Sequence, residues 1–314
     1  MEIKKYSFTL LAGLFSSILS AQVKDSAKNV TKYPLAEYFL EKDFAQNNSR
    51  YTSLDTALDG AQKYFPNNFP YSLGLASRKL TFESSTKIGF RSGFDNLNLF
   101  GYNKEAIKYY RTRTPYTEIF ALFGMKKEQF SKIIHTQNIT KQWNIAVNLL
   151  RVRSEGFYQR QNFSDHNISV STNYGSKNNR YSLLANAIVS SIKTDENGGI
   201  VSDSIFESRL LGNKKLILVN LMDARTKRRY REVYLKQSVY FGRKENIMKG
   251  DSIIGSKIKP TSSLSYSFNT NDNDFAYIEN TLDSGYYENI YFDSAQTQDS
   301  THTEAVSYTH LRAH

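Results

Sequence analysis

Cysteine is absent from the chain, which removes disulfides, thiolate metal sites, cysteine nucleophiles and a lipid-modified N-terminal cysteine in one step. It says nothing of redox compartment, because an absence fits either. Long apolar runs are scarce too. Past Ala21, runs such as Leu216–Leu221 are far below the ~17–25 residues that cross a bilayer as a helix. Histidine numbers five, and of these only His135 and His166 lie in the strand-rich part. His302 sits in a polar tail, with His310 and His314 beyond it. The one local grouping, Ser164-Asp165-His166, cannot act as a triad as it stands, because neighbours along a strand point to opposite faces. Gly198-Gly199 lacks the following Gly-Lys-Ser/Thr of a phosphate loop and reads as a turn needing positive φ. Asp293, Asp299 and Glu304 lack calcium-loop spacing and read as solvated. No catalytic, cofactor-binding or metal-ligating residue emerges, so the expectation is a protein that is not an enzyme and carries no cofactor or metal.

What is present begins with an export signal. Lys4 and Lys5 form a basic n-region, Phe8 to Leu19 an apolar stretch, and Ser20-Ala21 a small-residue cleavage site before Gln22. Residues 1–21 therefore read as a secretory signal peptide, with Leu19 bulkier than the residue usual two places before the cut. The net charge of +11 persists largely after removal of Glu2, Lys4, Lys5 and the C-terminal Arg312. In an exported chain that excess points to anionic lipid headgroups or anionic solutes, not to nucleic acid.

Residues 22–76 read as a lead-in, polar and without a sustained period to residue 50. One short helix is expected over Ser53–Tyr64, where Leu54, Ala57, Leu58, Ala61 and Tyr64 fall at helical spacing and Pro66 follows. From residue 77 to 292 strands dominate. Trp143, Ile145, Val147 and Leu149 share a face opposite Asn144, Ala146 and Asn148. Ile168, Val170, Thr172 and Tyr174 oppose Asn167, Ser169, Ser171 and Asn173. Leu264, Tyr266 and Phe268 oppose serines, and Val233, Leu235, Val239 and Phe241 oppose Lys236 and Ser238. One apolar and one small-polar face is what a sheet between unlike media requires.

A soluble sandwich would share that alternation, and strand length separates the two. The segments 116–126, 128–139, 142–153, 163–174 and 180–193 match the ~9–11 residues of a tilted membrane-spanning strand better than the ~5–6 of a soluble one. Asn and Ser on the polar face suit a wet lumen, and Tyr116, Trp143, Tyr174, Tyr181, Tyr240 and Phe241 suit interfacial girdles. The segments 128–139 and 180–190 resist, being apolar on both faces. With Lys215–Met222 taken as a further strand, the loops alternate. Ser154–Asn162, Thr194–Asn213 and Gly242–Thr261 fall at one side; Gly175–Asn179, Asp223–Glu232 and Asn271–Asp274 fall at the other. The basic run Arg225, Lys227, Arg228, Arg229 and Arg231 then lies in a solvated turn on the short-loop, periplasmic side, with attraction of anionic solutes or lipid phosphates as its functional alternative.

Several stretches in order are similar to those of a putative porin family of Bacteroidetes-type bacteria. They are Tyr109-Tyr110-Arg111-Thr112-Arg113-Thr114-Pro115-Tyr116-Thr117-Glu118, Arg153-Ser154-Glu155-Gly156-Phe157-Tyr158-Gln159-Arg160-Gln161, and Ser176 to Ala187 with Glu196-Asn197-Gly198-Gly199-Ile200 after it. The resemblance runs from about Tyr51 to Asn280. It implies an antiparallel up-and-down transmembrane β-barrel in the bacterial outer membrane, with lipid and small hydrophilic solutes, anionic ones included, as partners. It transfers no catalytic residues. Members of that family look longer than this chain, so an N-terminal fragment is expected, all-β and open where further strands would close it. Residues 293–314 read as a polar tail, of which 306–314 resemble translated adapter sequence and are expected to be non-native. The expected function is passive or weakly selective diffusion of small solutes; the alternative is a barrel with a filled lumen serving as a structural or adhesive surface protein.

Overall fold

Eight strands pair in chain order into one antiparallel sheet, each with its sequence neighbour. The computed structural model describes residues 36–41, 50–52, 101–204, 214–249, 252–279, 286 and 300–313. The expected signal peptide and the helix over Ser53–Tyr64 lie outside them. The large sheet comprises β4 (Tyr116–Phe123), β5 (Gln129–Thr140), β6 (Trp143–Ser154), β7 (Phe163–Gly175), β8 (Tyr181–Asp195), β9 (Arg225–Lys249), β10 (Ser252–Ile278) and β11 (Ser300–Ala313). Its order runs from β11 to β4, so among the described residues the sheet is not closed. A second sheet has three short strands, β1 (Ala36–Phe39), β2 (Arg50–Thr52) and β3 (Tyr109–Arg111), with β1 in the middle.

The alternation in sequence becomes two faces of opposite polarity. Cross-strand partners share a face, and the register gives rows such as Val147–Val170–Ala187–Val233 on one side and Ala146–Ser171–Asn186–Tyr234 on the other. The face with the valines is open, with Ile168 46%, Val189 50% and Val233 47% exposed, while Asn144, Asn167, Ser169, Ser171, Asn186 and Ser238 of the other face are buried. Apolar side chains thus point out and polar ones in. We call these the outer and inner faces.

The small sheet lies on the inner face. Phe39, Ile107 and Tyr109 cluster with Leu184 and Ile188 of β8. Ala36 and Tyr110 pack on Ile134 of β5 and Ala146 of β6. A third cluster joins Phe130, Leu150, Val152, Phe163 and Ile192, with Tyr102 and Phe120 against it. These contacts account for the apolar residues on both faces of β5 and β8: Ile134, Leu184 and Ile188 are the seats of the inner sheet, and Phe130 and Ile192 pack in the cluster with Tyr102 and Phe120. The lead-in is therefore not structureless throughout, because β1 rises out of it and buries Ala36 and Phe39. Tyr109–Arg111 likewise belongs to the inner sheet and not to the wall.

Strands β5 to β8 follow the expected segments closely, whereas β9 and β10 do not. Lys215–Met222 forms no strand of the sheet; it holds a 3-10 turn at Lys214–Leu216 and one isolated bridge, Ile200 to Val219. Residues 196–224 are therefore one excursion between β8 and β9. This overturns the loop count. Asp223–Glu232 and Asn271–Asp274 are at the end where β8 finishes, and Gly242–Thr261 is at the end of the short turns 140–143 and 175–181. The last segment is a β-hairpin ribbon, since β9 pairs with β8 only as far as Val239 while pairing with β10 from Arg225 to Lys249. At Gly242 the ribbon allows no larger residue, because a Cβ would collide with the Lys259 carbonyl. The register shifts beside it between Pro260 and Ser262, where proline has no N–H to give the ladder.

Candidate functional site

The inner wall is polar and partly charged. Asn186 donates its amide to the Tyr109 hydroxyl at 2.7 Å, and Ser171 donates to the Lys108 carbonyl at 2.8 Å. Tyr102 donates to Asn148 Oδ1 at 3.1 Å. Glu41, just after β1, accepts from the Tyr234 hydroxyl at 2.6 Å and from Lys236 Nζ at 2.9 Å. The Lys104 backbone N–H donates to Glu232 at 3.0 Å. Burial holds the Tyr109 and Tyr110 hydroxyls well above the usual phenol range, so both stay neutral and serve as apolar bulk with a polar tip. Lys108 lies over the Tyr38 ring and Arg111 over the Phe39 ring, at 4.2 and 5.0 Å from the centroids. Segments 36–41 and 101–112 are thus tied to the wall by hydrogen bonds, an ion pair and aromatic packing together.

The outer face divides into three zones along the strands. Trp143, Tyr174, Leu183, Gln237 and Tyr266 form a row near the short turns, with Tyr181 and Leu264 next to it. On β6 to β8 the rows from Leu149–Ile168–Val189 to Ile145–Thr172–Ala185 are apolar but for Thr172, and His135 and Gln137 on β5 and Arg231 on β9 bound them at the sides. Beyond them, near the long connections, come Arg151, His166, Ser191 and Arg229, then Arg153, Ser164, Lys193 and Lys227. The basic run 225–231 therefore sits in a strand, not a turn. Arg225, Lys227, Arg229 and Arg231 alternate outward, and Arg228 points inward to Asn273 at 2.9 Å.

The sequence missed Arg151, Arg153 and Lys193 as members of this group. The available signal was parity: each lies an even number of residues from an outward apolar position of its own strand. His166 and Ser164 face outward, 3.1 Å apart, while Asp165 points inward, buried, and accepts from Asn167 at 2.9 Å. The triplet is split between faces as strand geometry requires. His135 faces outward, its Nδ1 at 2.8 Å from the Thr117 hydroxyl. Gly198 and Gly199 have φ of +64° and +86°, the turn expected. Asp293 and Asp299 lie outside the described residues; His302, Glu304, His310 and Arg312 lie on the backbone of β11.

The long-connection end is stitched by ions. Glu155 accepts from Lys127 at 2.6 Å and Lys215 at 3.4 Å, and the hydrogen bond from Lys127 leads in holding its carboxyl below the ordinary range. Arg160 reaches Asp195 at 3.5 Å and the Ala224 carbonyl at 2.9 Å.

No curated protein and no solved structure matches the chain. Residues 37–309 match the family model described as "Putative porin", a span that takes in both sheets, the inner seats and the outward basic group. With that match over residues 37–309 and an all-β antiparallel wall in the described residues from Tyr116 onward, the chain belongs to the putative porin family.

Proposed function

We propose that this chain is wall and inner lining of a porin-like channel in the bacterial outer membrane, through which small hydrophilic solutes diffuse passively or with weak selectivity. The observation that carries it is the inverted polarity of the sheet. Exposed apolar patches beyond a few hundred Å² are rare on monomeric soluble proteins, and here a continuous apolar zone is bounded by aromatic and basic rows. On β7 the apolar zone from Ile168 to Tyr174 runs ~20 Å, or ~16 Å at a strand tilt of about 40°; only with the flanking His166 and Ser164 rows included does it reach ~26 Å, against the ~25 Å apolar band of an outer-membrane barrel. Inside, Asp165 Oδ2, Asn173 Oδ1, Asn186 Oδ1 and Asn269 Oδ1 are buried acceptors with no partner among the described residues, which a water-filled interior would satisfy. The role is non-enzymatic and needs no cofactor.

A second reading, a closed lumen in a structural or adhesive surface protein, is favoured by the inner sheet on β5–β8. Planar-bilayer conductance of the protein expressed from the full-length gene separates the two. Stepwise currents that grow in the double variant Tyr109→Ala, Tyr110→Ala support a channel narrowed by the inner sheet. A well-folded, silent protein, with the variant equally silent, overturns the channel and leaves the closed lumen.

A further inference from the structure

We propose that the outward basic group on β6, β8 and β9 is a binding site for the phosphate of an anionic lipid headgroup. Arg151, Arg153, Lys193, Arg225 and Lys227 line a groove of about 420 Å³ on the outer face. The acidic residue lining it, Asp195, is already engaged by Arg160 at 3.5 Å and by Asn162 at 2.6 Å. None of the five cations has an acidic partner at ion-pair distance among the described residues, and Arg225 Nε is buried without a hydrogen-bond partner.

The register sharpens the case. Lys193 stands directly opposite Lys227, and Lys193 is in turn opposite Ser164, itself opposite Arg153. Like charges directly opposite one another destabilise a sheet, and here they lie ~5 Å apart between strands. An anion seated between them reverses the sign of that interaction. Phosphate fits the chemistry: its oxygens accept from several cations at once, and arginine offers it a two-pronged donor.

Placement selects a lipid as the source. The cations point outward, away from the inner wall, and past the Arg151–His166–Ser191 row the next row on β6 to β8 is apolar. A lipid lying with its tail on Leu149, Ile168 and Val189 brings its phosphate to this groove. The site rests on the outer-membrane reading, and in that reading the long connections beside it lie on the extracellular side.

The test uses the full chain in nanodiscs of phosphatidylcholine, titrated with phosphatidic acid and followed by native mass spectrometry. The triple variant Arg151→Gln, Lys193→Gln, Lys227→Gln is compared with Lys244→Gln, Lys257→Gln, Lys259→Gln at the far end of the β9–β10 ribbon. Each surface cation contributes about fivefold to binding an anionic lipid, so the first variant loses on the order of a hundredfold and the second stays at the wild-type value. Equal retention of phosphatidic acid by wild type and first variant overturns the site. Saturation of the groove by inorganic phosphate at the same concentration, with no gain from the lipid, overturns the lipid assignment. Protease protection in plain phosphatidylcholine is read separately: a chain that fails to insert there overturns the membrane reading and not the groove.

Discussion

Replacing Val170 by arginine distinguishes a lipid-facing wall from a wetted one. Val170 is 39% exposed on the outer face at mid-strand, opposite Val147 on β6 and Ala187 on β8. In water, an arginine at such a position would find solvent, and the change in stability would stay within about 0.5 kcal/mol. In a bilayer, the same side chain at the midplane of a barrel costs ~2–4 kcal/mol. The neighbouring Ser171 supplies the control. It is buried on the inner face and donates to the Lys108 carbonyl, so Ser171→Ala removes one hydrogen bond and costs ~0.5–1.5 kcal/mol in either setting. The assay is urea unfolding of the full chain from phosphatidylcholine vesicles, followed by the fluorescence of Trp143, the single tryptophan. A shift for Val170→Arg larger than that for Ser171→Ala is expected. A Val170→Arg protein as stable as wild type in vesicles would refute the lipid-facing assignment.

Trp143 is itself a depth gauge: outward and donating to the Thr172 hydroxyl at 2.7 Å, it should be quenched strongly by lipids brominated near the headgroup and weakly by those brominated at the chain end. The opposite order would place the aromatic row in the bilayer centre. Glu155 gives a pH test. Its carboxyl is held below the usual range by Lys127 and Lys215, so its contribution is present above the unfolded carboxylate pKa of about 4.3 and is lost as pH falls through the lower folded value. The protection of amides in the 124–128 turn, corrected for their intrinsic exchange rates, should fall on acidification in the wild type, and the pH-dependent part of that fall should vanish in Glu155→Gln.

Strands β5 to β8 were legible because apolar and polar residues alternate along them and turn residues interrupt the pattern at the right places. Lys126 and Lys127, with φ of 56° and 55°, make a turn the sequence marked only by charge. The extent of β9 was not legible. From Arg225 to Arg231 outward positions carry cations and inward ones carry Thr226, Arg228 and Tyr230, so the hydrophobic contrast that reveals period two is gone although the backbone keeps the period. Asn271–Asp274 hides the end of β10 for the same reason. The short strands β1 and β3 have too few residues to show a period at all. What betrayed them was indirect: Ile134, Leu184 and Ile188 are apolar on a largely polar inner face. The basic groove needed the register, because its members come from three strands and touch only when Lys193 meets Lys227.

The pairing order also sets the order in which the molecule can assemble. Every strand of the large sheet pairs with its chain neighbour, so most steps close short loops, as in the turns after β4, β5 and β7, and the longer ones are those from Asp195 to Arg225 and from Ile278 to Ser300. The inner sheet instead joins Phe39 to Tyr109, a loop of about 70 residues, and closing it costs ~2 kcal/mol more in chain entropy than closing one a tenth as long. Contacts of low sequence separation form early and distant ones late. Hairpins of the wall therefore come first, and β1 arrives on an inner face whose seats on β5, β6 and β8 are already in register to receive it.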